Sequence, residues 1–206
     1  MGDWIVTVFL GDSLTAGFQQ GPGSLPLRYY PFTNMLESSL RMWLGEIDAE
    51  RDIVIVNQGR DGDSTVGLLN RFDVCVKSED PDIVLIWGGI NDLSSMVPPG
   101  DIYWNIVKLV EKTRAIRAFP VVLNVAPVGG VHFNDQVREL NHCLMEYCRS
   151  CGVTCLDVFS LLVDGDGKLA EEYSNDGVHL SDKGYRTIMQ SIYSKLVEII
   201  QGLITN

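Results

Sequence analysis

The stretch Ile5-Val6-Thr7-Val8-Phe9-Leu10-Gly11-Asp12-Ser13-Leu14-Thr15-Ala16-Gly17 decides how the rest of the chain is read. From Ile5 to Leu10 it is apolar apart from Thr7, carries no charge and stops at a glycine, which marks a strand covered on both faces. Runs of the same kind recur at Ile53 to Asn57, Ile83 to Trp87, Val121 to Val125 and Val153 to Leu156. Between them, helical spacing of apolar residues spans about Pro31 to Leu44, Thr65 to Lys77, Ile102 to Arg117, Asn134 to Cys151 and Asp182 to Gln201. The alternation predicts an α/β fold with a five-stranded parallel sheet and helices on both faces. With right-handed crossovers, the simplest strand order is the flavodoxin-like 2-1-3-4-5. Pro31 suits a first helical position, and Ser64, Asp101 and Ser181 stand where a side chain caps a helix start. The length, 206 residues, predicts one domain over residues 1–206. Ligands of such sheets sit beyond the carboxyl ends of the strands, so the loops after each strand are where chemistry is expected.

Composition narrows the function classes. Acidic residues number 27 against 16 basic ones, a net charge of −11, and the resulting field repels phosphate backbones and anionic lipid. No nucleic-acid partner and no stable membrane association are expected. No apolar run reaches membrane-spanning length, and Met1-Gly2-Asp3 ahead of the first strand lacks the basic leader of a secretory signal, so the expected location is cytoplasmic. Five cysteines without an export signal fit a reducing compartment. Cys143, Cys148, Cys151 and Cys155 begin with the spacing of an iron–sulfur loop, but they fall on a helix-and-strand pattern where small thiols serve as core, and no metal is expected. Asp164-Gly165-Asp166-Gly167-Lys168 starts like a calcium loop, yet Leu169 stands where the loop requires glycine, so it reads as a turn.

Four loops carry groups suited to acyl transfer. Ser13 stands on the turn after the first strand, where it either faces a ligand or, with Asp12, caps the next segment. A serine nucleophile needs a base, and the base needs a partner that fixes its tautomer. Of the three histidines, His142 falls mid-helix and His132 lies in the loop Pro127 to Asn134, while His179 follows Asp176 by three residues on a turn ahead of the last helix. That spacing lets one carboxylate meet one ring nitrogen and leaves the other free; the plainer alternative is a capping turn. Donors for a developing oxyanion are offered by Asn57-Gln58-Gly59-Arg60-Asp61-Gly62-Asp63-Ser64-Thr65 and by Gly88-Gly89-Ile90-Asn91-Asp92, both of which also read as ordinary turns.

In order along the chain, Gly11-Asp12-Ser13-Leu14, Gly62-Asp63-Ser64, Gly88-Gly89-Ile90-Asn91-Asp92 and Asp176-Gly177-Val178-His179 resemble the four blocks of the GDSL, or SGNH, hydrolase family. The resemblance implies an esterase or lipase with a three-layer flavodoxin-like fold, a small-molecule ester substrate and no cofactor. It implies Ser13 as nucleophile, His179 as base and acid, and Asp176 as its orienting partner. The oxyanion hole would comprise the Ser13 and Gly62 backbone N–H groups and the Asn91 side-chain amide, Gly62 rather than Gly59 because Asp63 follows it. Gly62-Asp63-Ser64-Thr65 also resembles the platelet-activating-factor acetylhydrolase and the lysophospholipase or thioesterase branches. Phe18, Met96, Val97, Val128 and Val131, from loops flanking these blocks, would line a moderately apolar site for a short or medium acyl group. An acyltransferase on the same site and a non-catalytic module binding carbohydrate or acyl groups are the alternatives. Sequence leaves the oligomeric state open.

Overall fold

The computed structural model describes residues 4–21 and 27–205. Five parallel strands, β1 (Trp4–Gly11), β2 (Asp52–Gly59), β3 (Ile83–Trp87), β4 (Phe119–Leu123) and β5 (Thr154–Leu156), form one sheet in the order β2-β1-β3-β4-β5. The helices are α1 (Ser13–Ala16), α2 (Phe32–Glu46), α3 (Thr65–Cys75), α4 (Ile90–Ser94), α5 (Pro99–Ala115), α6 (Val131–Cys151), α7 (Val158–Leu162) and α8 (Asp182–Ile204). The expected topology is therefore the observed one.

Alternation along the central strands divides the core in two. Ile5, Phe9, Leu85 and Trp87 face one layer with Phe32, Leu36 and Leu40 of α2, Leu162 of α7 and Tyr185, Ile188 and Ile192 of α8. Val8, Leu10, Val84 and Ile86 face the other with Leu68 and Phe72 of α3, Ile106 and Leu109 of α5 and Leu140 and Leu144 of α6. Every residue of β3 is buried, which is why its five letters read as continuous apolar sequence rather than alternating ones. The result is a three-layer α/β/α sandwich.

Several boundaries differ from the sequence reading, each for a local reason. Pro31 is the cap position before α2, not its first helical residue. α5 begins at Pro99, so Asp101 lies inside the first turn, where its charge meets the helix dipole instead of capping it. α6 begins at Val131, which moves His132 from a loop into an exposed first helical turn. β4 begins at Phe119 and includes Pro120, whereas Val125 lies past its end. Ser64 and Ser181 do cap α3 and α8, accepting from the N–H groups of Gly67 and Gly184. α1, α4 and α7 are too short to show a helical period and were not foreseen.

The register positions the loops. Gly11 lies opposite Gly59 on one side and Trp87 on the other, and Trp87 lies opposite Leu123. The strands thus end in line, and the chain leaves β1, β2 and β3 at neighbouring points. β1 and β3 flank the place where strand order reverses, the expected position of a ligand crevice in such a sheet.

Candidate active site

Ser13 lies two residues past the end of β1 at the first position of α1, held by a cap: Asp12 accepts the Leu14 N–H at 2.9 Å. Asp12 supplies the cap, so the Ser13 hydroxyl is not spent on capping. The Ser13 N–H, at the start of a helix, has no partner within it. Ser13 Oγ is 3.1 Å from Nε2 of His179, and Nδ1 of His179 is 2.7 Å from Oδ2 of Asp176. A carboxylate only accepts, so Nδ1 keeps its proton and donates it in a hydrogen bond to Asp176, which leaves Nε2 as the acceptor for the serine hydroxyl. Three residues separated by up to 166 positions are therefore joined in one hydrogen-bonded series.

The turn carrying Asp176 and His179 is built from its own backbone. Asp176 Oδ1 accepts the N–H groups of Val178 at 2.9 Å and His179 at 2.8 Å, and Ser174 Oγ accepts that of Gly177 at 2.9 Å while donating to the His179 carbonyl at 2.7 Å. Gly177 has φ 79° and meets Gly129, whose N–H donates to the Gly177 carbonyl at 2.8 Å; a Cβ on Gly129 would lie 3.3 Å from Gly177 Cα. Partial burial pushes the Asp176 carboxyl up, but the His179 ring and the two backbone donors outweigh it and hold the group below the usual carboxylate range.

On the opposite side, Arg60 to Asp63 form a turn closed by the Asp63 N–H on the Arg60 carbonyl, with Gly62 at φ 71°. A side chain there would meet no atom within 4 Å, so the turn is open to an approaching molecule. Asn91, in α4, donates from its side-chain amide to the Asp63 carbonyl at 3.0 Å. An amide has two N–H donors, and this bond uses one of them.

Two further residues bind these loops together, and sequence reasoning assigned a role to neither. Arg71 of α3 pairs with Asp63 at 2.7 Å and donates to the Gly11 carbonyl at 2.8 Å, tying the Gly62 turn to the strand that delivers Ser13. Asp92, buried, accepts the Thr65 N–H and hydroxyl, the latter at 2.7 Å, which ties the Gly62 turn to α4. No local motif reveals Arg71, because its partners lie 8 and 60 positions away. Replacing Arg71 with leucine strands a carboxylate of low exposure and is expected to cost about 3 kcal/mol of stability, read as a lowered urea midpoint.

Asp12 is 1% exposed. Burial pushes its carboxyl up to about 7; the Leu14 N–H opposes the rise, and the charges of Asp92 and Asp63 add to it. A carboxyl raised on folding contributes stability below its unfolded value and loses it as pH climbs toward the folded one. Asp12→Asn keeps the cap acceptor and never ionises. Its stability advantage over wild type is expected to grow by roughly 2–4 kcal/mol between pH 4 and pH 7 and then level off, measured by thermal melts across that range.

The expected wall residues separate. Phe18 lies against His179, ring centroids 4.5 Å apart. Val128 lines a groove of about 310 Å³ with Ile90, Phe133, Asp176 and Val178. Val97 instead packs against the core beneath α3, α5 and α6, and Met96 projects into solvent, 89% exposed, at a left-handed φ of 61°. The Val131 side chain lies outside the described residues, as do residues 22–26 of the Phe18 to Tyr30 loop. His142 lies exposed on α6, away from Ser13's series. Among the described residues no group of three or more His, Cys, Asp or Glu is arranged to hold a metal ion, and no helix is long and apolar enough to cross a membrane.

The model of the GDSL-like lipase/acylhydrolase family matches residues 9–187, a span that takes in every one of these loops. The chain belongs to that family. An arylesterase from Vibrio mimicus is 27% identical to this GDSL-family chain over 140 residues. The match covers 67% of the chain and 64% of the relative, less than two thirds of the relative's length. Among solved structures, a G-D-S-L family protein from Desulfitobacterium hafniense DCB-2 superposes with a TM-score of 0.72 at 25% identity, covering 93% of this chain and 98% of that one. A catalytic mutant of an acetylxylan esterase from Geobacillus stearothermophilus gives a TM-score of 0.74 at 18% identity over 91% and 92% of the two chains, a likeness of fold.

Proposed function

We propose that this protein is a serine hydrolase of carboxylic esters with short to medium acyl groups, working through an acyl-enzyme on Ser13. The observation that carries the reading is the continuous series from Ser13 Oγ through the His179 ring to Asp176, with contacts of 3.1 and 2.7 Å. Family membership and the arylesterase relative support ester chemistry.

In this reading Ser13 Oγ attacks the ester carbonyl as its proton passes to His179 Nε2, and Asp176 holds the ring and stabilises the imidazolium. The negative oxygen is received by the N–H groups of Ser13 and Gly62 and by the free N–H of the Asn91 amide. His179 then protonates the leaving alcohol. A water molecule, deprotonated by the same nitrogen, attacks the acyl-enzyme, and the acid departs as Ser13 regains its proton. His179 must be neutral to begin, since only the free imidazole nitrogen can accept the serine proton. The groove beside Asp176, apolar at Ile90, Val128, Phe133 and Val178, is of a size for a short acyl chain.

A panel of p-nitrophenyl esters of increasing chain length, with acetylated sugars, lysophospholipids and acyl-thioesters, tests the chemistry and the chain-length limit together. Mass spectrometry of the quenched reaction is expected to find the acyl group on the peptide containing Ser13. Turnover that continues unchanged in Ser13→Ala would overturn the reading.

A further inference from the structure

The chain leaving α1 forms a small hairpin before it reaches α2, in which Phe18–Gln19 pair antiparallel with Arg28–Tyr29, Phe18 opposite Tyr29. It belongs to none of the four sequence blocks, yet it touches His179 in one of them and the residue just ahead of another. Toward the turn that carries His179, Phe18 packs on the imidazole, Gln19 Nε2 donates to the Leu180 carbonyl at 2.8 Å, Asn175 donates to the Gln20 carbonyl at 3.1 Å, and Arg28 pairs with Asp182 at 2.6 Å. Toward the Gly62 turn, the Tyr29 hydroxyl donates to the Asp61 carboxylate at 2.5 Å, within the range of a charge-assisted O–H···O⁻ bond. Phe18 and Tyr29 meet edge to face, centroids 5.8 Å apart at 79°. A continuous line of contact thus runs from the imidazole through Phe18 and Tyr29 to Asp61, the residue before Gly62.

We infer that Tyr29 is a positioning residue for the proposed acyl transfer, its hydroxyl fixing the Asp61–Gly62 peptide so that the Gly62 N–H is aimed at the developing oxyanion while Phe18 holds the imidazole in register with it. This inference rests on the ester-hydrolase reading above. The turn is anchored at each side, by the Arg60 N–H on the Gly11 carbonyl and by Asp63 on Arg71, but Asp61 and Gly62 at its tip are exposed. Among the described residues, the Tyr29 side chain reaches the tip. The Asp61 hydrogen bond, followed by slight desolvation and the charge of the same carboxylate, raises the Tyr29 hydroxyl above the ordinary tyrosine value, so it remains a donor through the neutral range. At 58% exposure, Tyr29 contributes little to global stability, and its contribution is to geometry. A donor aimed at the oxyanion acts in the transition state more than in the ground state, so misaiming it lowers kcat and leaves KM nearly unchanged.

The test is a double-mutant cycle with Tyr29→Phe, Asp61→Ala and the combination, assayed on p-nitrophenyl acetate with thermal melts alongside. Each single variant is expected to lose roughly tenfold in kcat, with KM within about twofold and the melting temperature unchanged. The double variant is expected to lose no more than the worse single, because both remove the same bond. Asp61→Asn, which keeps an acceptor oxygen, is expected to recover most of the loss. Wild-type kcat in Tyr29→Phe, losses that multiply in the double variant, or a loss carried by KM would each overturn the assignment. Ser13→Ala in the same assay separates the two levels: an inactive Ser13→Ala beside a wild-type-like Tyr29→Phe defeats this inference alone, and an active Ser13→Ala defeats both.

Discussion

Ser13→Ala is expected to lower kcat on p-nitrophenyl acetate by on the order of 10⁴ to 10⁶ while leaving the fold intact. The substitution removes one atom, the Oγ that meets His179 at 3.1 Å. Alanine is the best helix former and sits at the first position of α1 without strain, and Asp12 continues to cap the Leu14 N–H. The change therefore isolates chemistry from stability, and the melting temperature is expected to move by no more than a degree or two. Backbone donors at positions 13 and 62 and the Asn91 amide survive, so a small residual rate above solution hydrolysis remains. Reaction with a fluorophosphonate gives a second readout, covalent labelling at Ser13 in wild type and none in the variant. An unlabelled wild type with full esterase activity would place the nucleophile elsewhere.

Asp176→Asn is expected to cost roughly 10³ to 10⁴ in kcat, although it exchanges one oxygen for a nitrogen. An asparagine keeps its carbonyl toward the Val178 and His179 N–H groups, which Asp176 Oδ1 now accepts at 2.9 and 2.8 Å. Its NH₂ then faces His179 Nδ1, which must become the acceptor. The ring proton moves to Nε2, where it points at Ser13 and leaves no base. A carboxylate lowered on folding adds stability above its unfolded value and loses it as pH falls through the folded one. Wild type therefore loses this contribution only in acid, below the usual carboxylate range, and the variant does not. Steady-state kinetics with KM compared, together with an acid titration of stability, check both halves. A loss below tenfold would reduce Asp176 to a capping residue.

How much was legible follows from what each signal depends on. The strands could be read because a central parallel strand buried on both faces has no polar alternation to disguise it, as β3 illustrates with five buried residues in five. Ser64 and Ser181 could be read as caps because the groups they satisfy lie three residues away. Asp101 misled because a proline two positions earlier starts the helix first. The turn with Asp176 and His179 is local, so its spacing survives in the sequence. The walls were much less legible: Met96 and Val97 are both apolar neighbours, yet Met96, at a left-handed φ, stands in water while Val97 is half-buried against the core.

Sequence alone determined the class of fold, the order of its layers and the candidates for the reactive groups, because burial pattern and short-range spacing are properties of consecutive residues. Tertiary structure decided which of those groups meet. The alignment of Gly11, Gly59 and Trp87 at one edge of the sheet, the grip of Arg71 on Asp63 and the Gly11 carbonyl, and the reach of Tyr29 to Asp61 join residues 8 to 76 positions apart. Such contacts depend on the register of the strands and the packing of the helices, which no local preference of the chain encodes.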